Sequence, residues 1–429
     1  MAAETVRAGW AAATITPTIP CWMGGYGDRT APADAIHDPL YANALALGDP
    51  TAPLIVVICD LVAVDASLVA RVRERVAEAL PGAVVWLGAT HTHSGPDVGR
   101  IFSTHEPPPE VTERIVAGAT DAAREAARAM RTVRAAWASG SVEGVASNRD
   151  HPDSGEEITL DLLCLYADGD SRGVPSAVFG SFPCHPTVLS AANYAISADL
   201  PGAYRRQLRA RLGTETWVAL ATGAAGDIST RHLRQGQGFE ELERLGRLLA
   251  EAAERFIATA EPLRLAPPIV REDTVALKRK DPLDMKALAS DADTLSQQRA
   301  AALEAGNIAQ ARTLETVLQG IRAAQHIGSA QQDLPLPSLT VATARLGELA
   351  LVAIPGELYS RLGAEIRRGA ASPALVLGYT NGYVGYIPTR EAYQSLDYEV
   401  LMSQFGAGSG EDVAAAALRM LRETKAGDQ

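Results

Sequence analysis

The sequence predicts an α/β fold: a mixed β-sheet core with flanking helices, a site at the strand ends and an inserted helical hairpin. Three observations carry this expectation. Short apolar runs of strand length recur, most of them bounded by Gly or Pro, and each ends in a polar cluster. Stretches with helical periodicity lie between them. One Ala-, Gln- and Glu-rich segment, 281–333, breaks the alternation. Alternating strands and helices argue for a sheet covered on its faces, and such sheets bind ligands where strand-end loops converge.

In chain order, strands are expected at 54–59, 84–89, 177–182, 217–221, 349–354 and 374–377. The polar clusters that follow them are Asp60, the Thr90-His91-Thr92-His93 run, Pro183-Cys184-His185, the 223–227 loop, Pro355-Gly356-Glu357 and the 381–386 stretch. Helices are expected at 110–130, which is Ala-rich, and at 238–260, where Leu242, Leu245, Leu248, Leu249, Ala252 and Phe256 recur at helical spacing. Segment 281–333 reads as a helical hairpin. Leu283, Leu288 and Leu295 mark its first helix, Ile308, Leu314, Leu318 and Ile321 its second, and Gly306-Asn307 the break. A solvated packing element is the plain interpretation, with a lid or an oligomer contact as the alternative. Pro335-Leu336-Pro337 is expected to return the chain to the sheet, and 412–423 to form a final amphipathic helix.

Composition narrows the class. The 429 residues are 47 % hydrophobic and 21 % charged, a globular profile that we read as one domain over 1–429. A net charge of −12 with no basic surplus excludes a nucleic-acid binder. Cys21, Cys59, Cys164 and Cys184 are widely spaced without a C-x-x-C pair, which argues against a disulfide scaffold and a thiolate zinc site. The first residues lack a basic region followed by an apolar one, and no apolar run approaches the ~20 residues that span a bilayer. The expectation is a cytoplasmic protein without a transmembrane segment; a homo-oligomer stays open.

The chemistry-bearing residues fall at the strand ends. Side chains two apart on a strand point to the same side. His91 and His93 are therefore expected either to share one metal ion or to divide ligation and proton transfer between them. Imidazole suits zinc, whose catalytic sites take about three protein ligands and a water. His185, from a set of only eight histidines, again follows an apolar run directly. Glu357 follows another; its alternative is a helix-terminal charge. Tyr383 and Tyr386 sit in a Gly-rich stretch, where aromatic packing is the alternative. The 223–229 loop offers backbone amides to an oxyanion or a phosphate, but no G-K-[ST] follows it and Ser229 lacks a G-x-S-x-G setting.

Taken in order, these pieces resemble the neutral/alkaline (non-lysosomal) ceramidase family. The resemblance runs through Ala13-Thr14-Ile15-Thr16-Pro17, Met23-Gly24-Gly25-Tyr26-Gly27, Ile36-His37-Asp38-Pro39-Leu40-Tyr41, 90–96, Asn148-Arg149, Cys184-His185-Pro186-Thr187, 197–202, 223–229, Pro355-Gly356-Glu357 and 381–398. It implies a zinc-dependent amide hydrolase that cleaves an N-acyl bond, with Zn²⁺ held by His91, His185, Glu357 and Tyr386. It also implies an unligated active-site His93, Arg149 on the substrate's oxygen, Ser229 in a catalytic position and Tyr398 near the substrate. Metal-activated water, with His93 moving the proton, is the mechanism we expect; no base is visible in sequence for attack by Ser229. Thr230-Arg231-His232 departs from the proline and asparagine that the family carries after that serine. The expected partner is a small-molecule N-acyl substrate, ceramide-like or smaller and soluble. A zinc-dependent esterase, lactonase or other hydrolase on the same scaffold, phosphate esters included, is the alternative, and a non-catalytic relative would be marked by a lost ligand residue.

Overall fold

The computed structural model describes residues 6–98, 107–168, 173–327 and 338–426. Nine strands form one large mixed sheet. They are β1 (Arg7–Thr14), β2 (Tyr41–Asp49), β3 (Ala52–Cys59), β4 (Val84–Ala89), β5 (Arg131–Ser141), β6 (Thr159–Ala167), β7 (Ala177–Phe182), β8 (Trp217–Thr222) and β9 (Glu261–Leu263). The spatial order is β8-β7-β6-β5-β1-β2-β3-β4, with β9 on β5. The β3–β4 and β7–β8 pairs are parallel; the other pairs are antiparallel.

Side-chain alternation explains the apolar runs. In β3, Ile55, Val57 and Cys59 point to one face, packed on α1 (Ala66–Ala79) and α2 (Pro109–Arg128). Leu54, Val56 and Ile58 point to the other. A strand buried on both faces reads as continuous hydrophobe. α3 (Asp199–Leu212) and α4 (Phe239–Ile257) cover the β6–β8 end of the same outer face through Tyr204, Leu208, Leu245 and Leu249.

The inner face packs on a second sheet. It comprises β10 (Ile269–Ala276), β11 (Ser338–Leu346), β12 (Leu349–Ala353) and β13 (Ala374–Leu377), in that order. Leu346, Leu351, Leu375 and Leu377 meet Leu45, Val56, Trp86 and Phe179 between the sheets. α7 (Ser360–Gly369) and α9 (Ser409–Ala426) cover the far side through Leu362, Ile366, Val413 and Leu421. The result is four layers: helices, sheet, sheet, helices.

The insertion is a helical hairpin, α5 (Met285–Glu304) and α6 (Ile308–Ile327), broken at Gly306-Asn307. It packs against α8 (Tyr398–Met402): Ile321 clusters with Leu401, and a Cβ on Gly320 would lie 3.1 Å from Tyr398 Cδ2. It is thus more than a solvated appendage, because it backs the segment that carries Tyr398. The Pro335-Leu336-Pro337 return and residues 328–333 lie outside the described residues. All four cysteines are buried and unpaired. No described helix is long and apolar enough to cross a membrane.

One feature of the fold gathers the strand-end loops. Thr222 Oγ1, at the end of β8, donates to Thr90 O beyond β4 at 2.6 Å. The end of β13 is stitched to both: Gly378 N–H donates to Thr222 O (3.0 Å), Ala89 N–H to Tyr379 O (3.1 Å) and Asn381 N–H to Leu87 O (2.7 Å). Three of the loops that carry the predicted chemistry therefore meet.

Candidate metal centre

His91, His185 and Glu357 come together. One donor atom from each lies within 4.8 Å of the others, and all three residues are buried. Tyr386 joins them through a short parallel pair in which Glu357 and Tyr386 are direct partners. The rings of His185 and Tyr386 stack with centroids 6.3 Å apart.

Strand alternation does not pair His91 with His93. Both lie past the end of β4, and His91 has a left-handed backbone with φ +64°. The turn, not strand alternation, brings them together, with rings at 85° and the two Nε2 atoms 3.2 Å apart. Only His91 enters the three-donor cluster. A Cβ on Gly25 would lie 2.4 Å from His93 Cγ, and Tyr26 packs on the His93 ring edge-on at 4.8 Å.

The histidines are oriented by main chain. His91 Nδ1 faces Val62 O at 2.6 Å, and His185 Nδ1 faces Ala225 O at 2.6 Å with Ile228 O at 3.2 Å. A carbonyl only accepts, so Nδ1 carries the proton in each ring and Nε2 presents a lone pair inward. Burial pushes His91 down to about 4 against the pull of Glu357. It also holds His93 and His185 well below the usual imidazole range, so all three are neutral at pH 7.

Glu357 is fully buried, with Oε2 2.8 Å from His185 Nε2 and 3.5 Å from His91 Nε2. Tyr379 donates to Oε2 at 3.2 Å and Tyr383 donates to Oε1. Two imidazole Nε2 lone pairs and a carboxylate oxygen that accepts from tyrosine thus converge. A divalent cation satisfies that arrangement. The donor set, two imidazoles and a carboxylate with their outer atoms hydrogen-bonded, fits zinc.

Arg149 sits on the other side of Tyr386. Its Nη2 donates to Gly226 O at 2.8 Å and to the Tyr386 hydroxyl at 3.3 Å, and it pairs with the fully buried Glu399. Burial opposes its charge, but Glu399 and Tyr386 outweigh that and hold the guanidinium well above its ordinary value. Burial, then Glu357, raise the Tyr386 phenol well above its usual range, while Arg149 works the other way. Tyr386 therefore makes a donor only when a cation stands in front of it.

Ser229 is buried beside His185, to which it is bridged through the backbone, and its Oγ accepts the Arg231 N–H at 3.2 Å. Tyr398 stands perpendicular to Tyr386 at 5.9 Å; burial pushes its phenol up to about 12. Asp227 ties this region together by accepting from Ser360 N–H (2.8 Å), Ser360 Oγ (2.9 Å) and Asn148 Nδ2 (3.0 Å).

Sequence reasoning missed Tyr379, Glu399 and Asp227. Tyr379 had a signal, as a third tyrosine only four residues before Tyr383. Glu399 had none, because its partner Arg149 is distant in sequence.

Comparison with known proteins gives the family and the fold. A sequence model described as neutral/alkaline non-lysosomal ceramidase, N-terminal, matches residues 7–231. The neutral ceramidase of Pseudomonas aeruginosa is 24 % identical over 443 residues, covering 88 % of this chain. The chain spans 66 % of the length of that relative. Among solved structures, a ceramidase complexed with C2 superposes with a TM-score of 0.75 at 19 % identity, over 98 % of this chain and 75 % of that one. The crystal structure of neutral ceramidase from Pseudomonas aeruginosa gives 0.74 at 21 % identity, over 97 % and 74 %. At these identities the structural likeness establishes the α/β fold, and the family match covers more than half of the chain. The chain belongs to the neutral/alkaline non-lysosomal ceramidase family.

Proposed function

We propose that this protein is a zinc-dependent hydrolase of N-acyl amides, acting on a ceramide-like or smaller N-acyl amine. The observation that carries the proposal is the convergence of His91 Nε2, His185 Nε2 and Glu357 Oε2, with both Nδ1 atoms committed to carbonyls. These three residues would hold the metal, and Tyr386 is the fourth donor at hand. Zinc bound there supplies Lewis-acid polarisation of the acyl oxygen and acidification of water.

The remaining steps belong to the chain. His93 is neutral and buried against His91; it is the group that accepts the attacking water's proton and delivers it to the departing amine. Arg149 stays charged, and its buried Nε has no hydrogen-bond partner, which leaves an N–H for developing charge on the acyl oxygen. Ser229 has its Oγ engaged by Arg231 N–H and no base in hydrogen-bond reach among the described residues, which supports a positioning role over nucleophilic attack.

The test is metal analysis followed by a substrate screen. The purified protein should carry about one zinc per chain and lose turnover to a chelator. Fluorogenic N-acyl amides of graded acyl length should be cleaved in preference to esters and phosphoesters. A chelator-insensitive enzyme would overturn the metal reading, and an ester preference would overturn the amide one.

A further inference from the structure

A second group of cations stands beside the histidines. Arg29 is only 8 % exposed. Its Nη1 donates to Gly24 O at 2.9 Å and its guanidinium lies 5.1 Å over the Tyr26 ring. Its Nε and Nη2 are buried with no hydrogen-bond partner. Arg231 and Arg234 follow Ser229 in the chain. Arg234 Nη1 donates to Thr187 O at 2.5 Å, while its Nε, and Nη1 of Arg231, are buried without a partner.

These three side chains share one neighbourhood with the reacting groups. All three act electrostatically on Tyr26, the ring that packs on His93. Arg29 also acts on His93, and Arg231 on His185. The hairpin adds Arg312, whose charge reaches Arg234. The nearby carboxylates Asp150, Asp199 and Glu399 act on them electrostatically without forming an ion pair with them among the described residues. Asp199 is fully buried with both oxygens accepting N–H groups of Val188, Leu189 and Leu200. Glu399 pairs with Arg149. None of the three arginines forms an ion pair among the described residues.

A buried guanidinium with unmet donors is destabilising unless something negative completes it. Consistent with that, burial lowers Arg29 to about 10 and also lowers Arg231 and Arg234. An amide whose amine portion ends in a neutral alcohol leaves the donors unmet; a carboxylate or phosphate meets them in the bidentate geometry that arginine favours. Arg29 lies over Tyr26, the ring that packs on His93, the group assigned to protonate the departing nitrogen.

Building on the hydrolase reading above, we propose that the preferred substrate is an N-acyl amine carrying an acidic group, carboxylate or phosphate, in its amine portion. Arg29, with Arg231 and Arg234, receives that group. The acid thereby sets specificity at the leaving-group end of the amide.

The test uses three amides of one acyl length: N-octanoylglycine, N-octanoylethanolamine and N-octanoyl-O-phosphoethanolamine. With zinc present, kcat/KM should be at least tenfold higher for an acidic amide than for the ethanolamine amide. Arg29→Gln should raise KM for the acidic amide at least tenfold and move the acidic-to-neutral ratio toward one. Arg231→Gln and Arg234→Gln should each narrow that ratio; being less buried, they stand in if Arg29→Gln fails to fold. A metal-independent readout is the melting temperature of chelated protein. N-octanoylglycine should raise it more than N-octanoylethanolamine does, and the difference should vanish in the arginine variants. A phosphoryl preference over glycine supports the site and assigns it to phosphate. Equal or better turnover of the neutral amide overturns the inference and leaves the hydrolase reading standing. If no amide is cleaved, the hydrolase reading fails, and the melting shift alone decides whether the anion site exists.

Discussion

The ring of Tyr379 stacks on His91 with 4.2 Å between centroids, while its hydroxyl donates to Glu357 Oε2 at 3.2 Å. One side chain thus fixes the relative placement of two of the three donors. Groups that orient metal ligands in this way typically contribute 10–100-fold to metal affinity. Tyr379→Phe keeps the stack and removes the donor, so zinc affinity should fall by about 10–100-fold with the far-UV circular dichroism unchanged. Competition with a chromophoric chelator measures this. An unchanged affinity would mean that the hydroxyl does not tune Glu357.

The roles assigned to the histidines separate in a single set of variants. His91→Ala and His185→Ala should abolish both zinc retention and turnover. His93→Ala should retain zinc, measured by elemental analysis, while turnover falls by roughly 10²–10⁴-fold, the scale of lost general acid–base catalysis. Loss of zinc from the His93 variant would place that residue among the ligands instead.

Gly25 tests how tightly His93 is held. Its φ is +94°, and an added Cβ would sit 2.4 Å from His93 Cγ, so Gly25→Ala is both strained and obstructive. The imidazole must move, and displacement of a reacting group by about 1 Å is worth roughly 10²-fold in rate. A fall in kcat of that order with zinc content intact is the expected result. Wild-type kcat in the variant would show that His93 has room to spare.

Asp227 predicts a pH dependence of stability. Burial, with a further push from Glu156, raises its carboxyl to about 7, against the pull of Ser360. The unfolded value is about 3.9. Between those values the folded protein holds a proton that the unfolded chain has released. The contribution of Asp227 is therefore fully present below about pH 4 and is lost as pH rises through 7. Asp227→Asn cannot ionise, so its unfolding free energy should decline less steeply from pH 5 to 8. The slopes differ by up to about 1.4 kcal/mol per pH unit. Urea unfolding at several pH values reads this directly, and parallel curves for the two proteins would exclude the assignment.

Some of this was legible in the chain and some was not. The runs that became β3, β4, β7, β8, β12 and β13 stood out because they are buried on both faces or at the sheet–sheet contact. Of the sheet strands that were not expected (β1, β2, β5, β6, β9, β10 and β11), β1 and β5 escaped notice because one side of each is half-exposed and carries residues such as Arg7, Arg131 and Arg134. His91, His185 and Glu357 were visible as rare polar residues at strand ends. Their convergence depends on β4, β8 and β13 being joined end to end, which no local pattern encodes. The His91–His93 spacing pointed to the right pair for the wrong reason, since a left-handed residue replaced strand geometry. The pairing of Arg149 with Glu399 had no local signature at all.

The clustered imidazoles of His91 and His185 are aimed by the carbonyls of Val62, Ala225 and Ile228 rather than by carboxylate side chains. Replacing the side chain at any of those three positions removes no acceptor. The site is therefore tolerant of point substitution at its second layer, yet vulnerable to anything that shifts the peptide planes themselves. A one-residue deletion in the 223–228 loop, or a proline forced in beside Val62, would swing an imidazole off target without touching a single ligand.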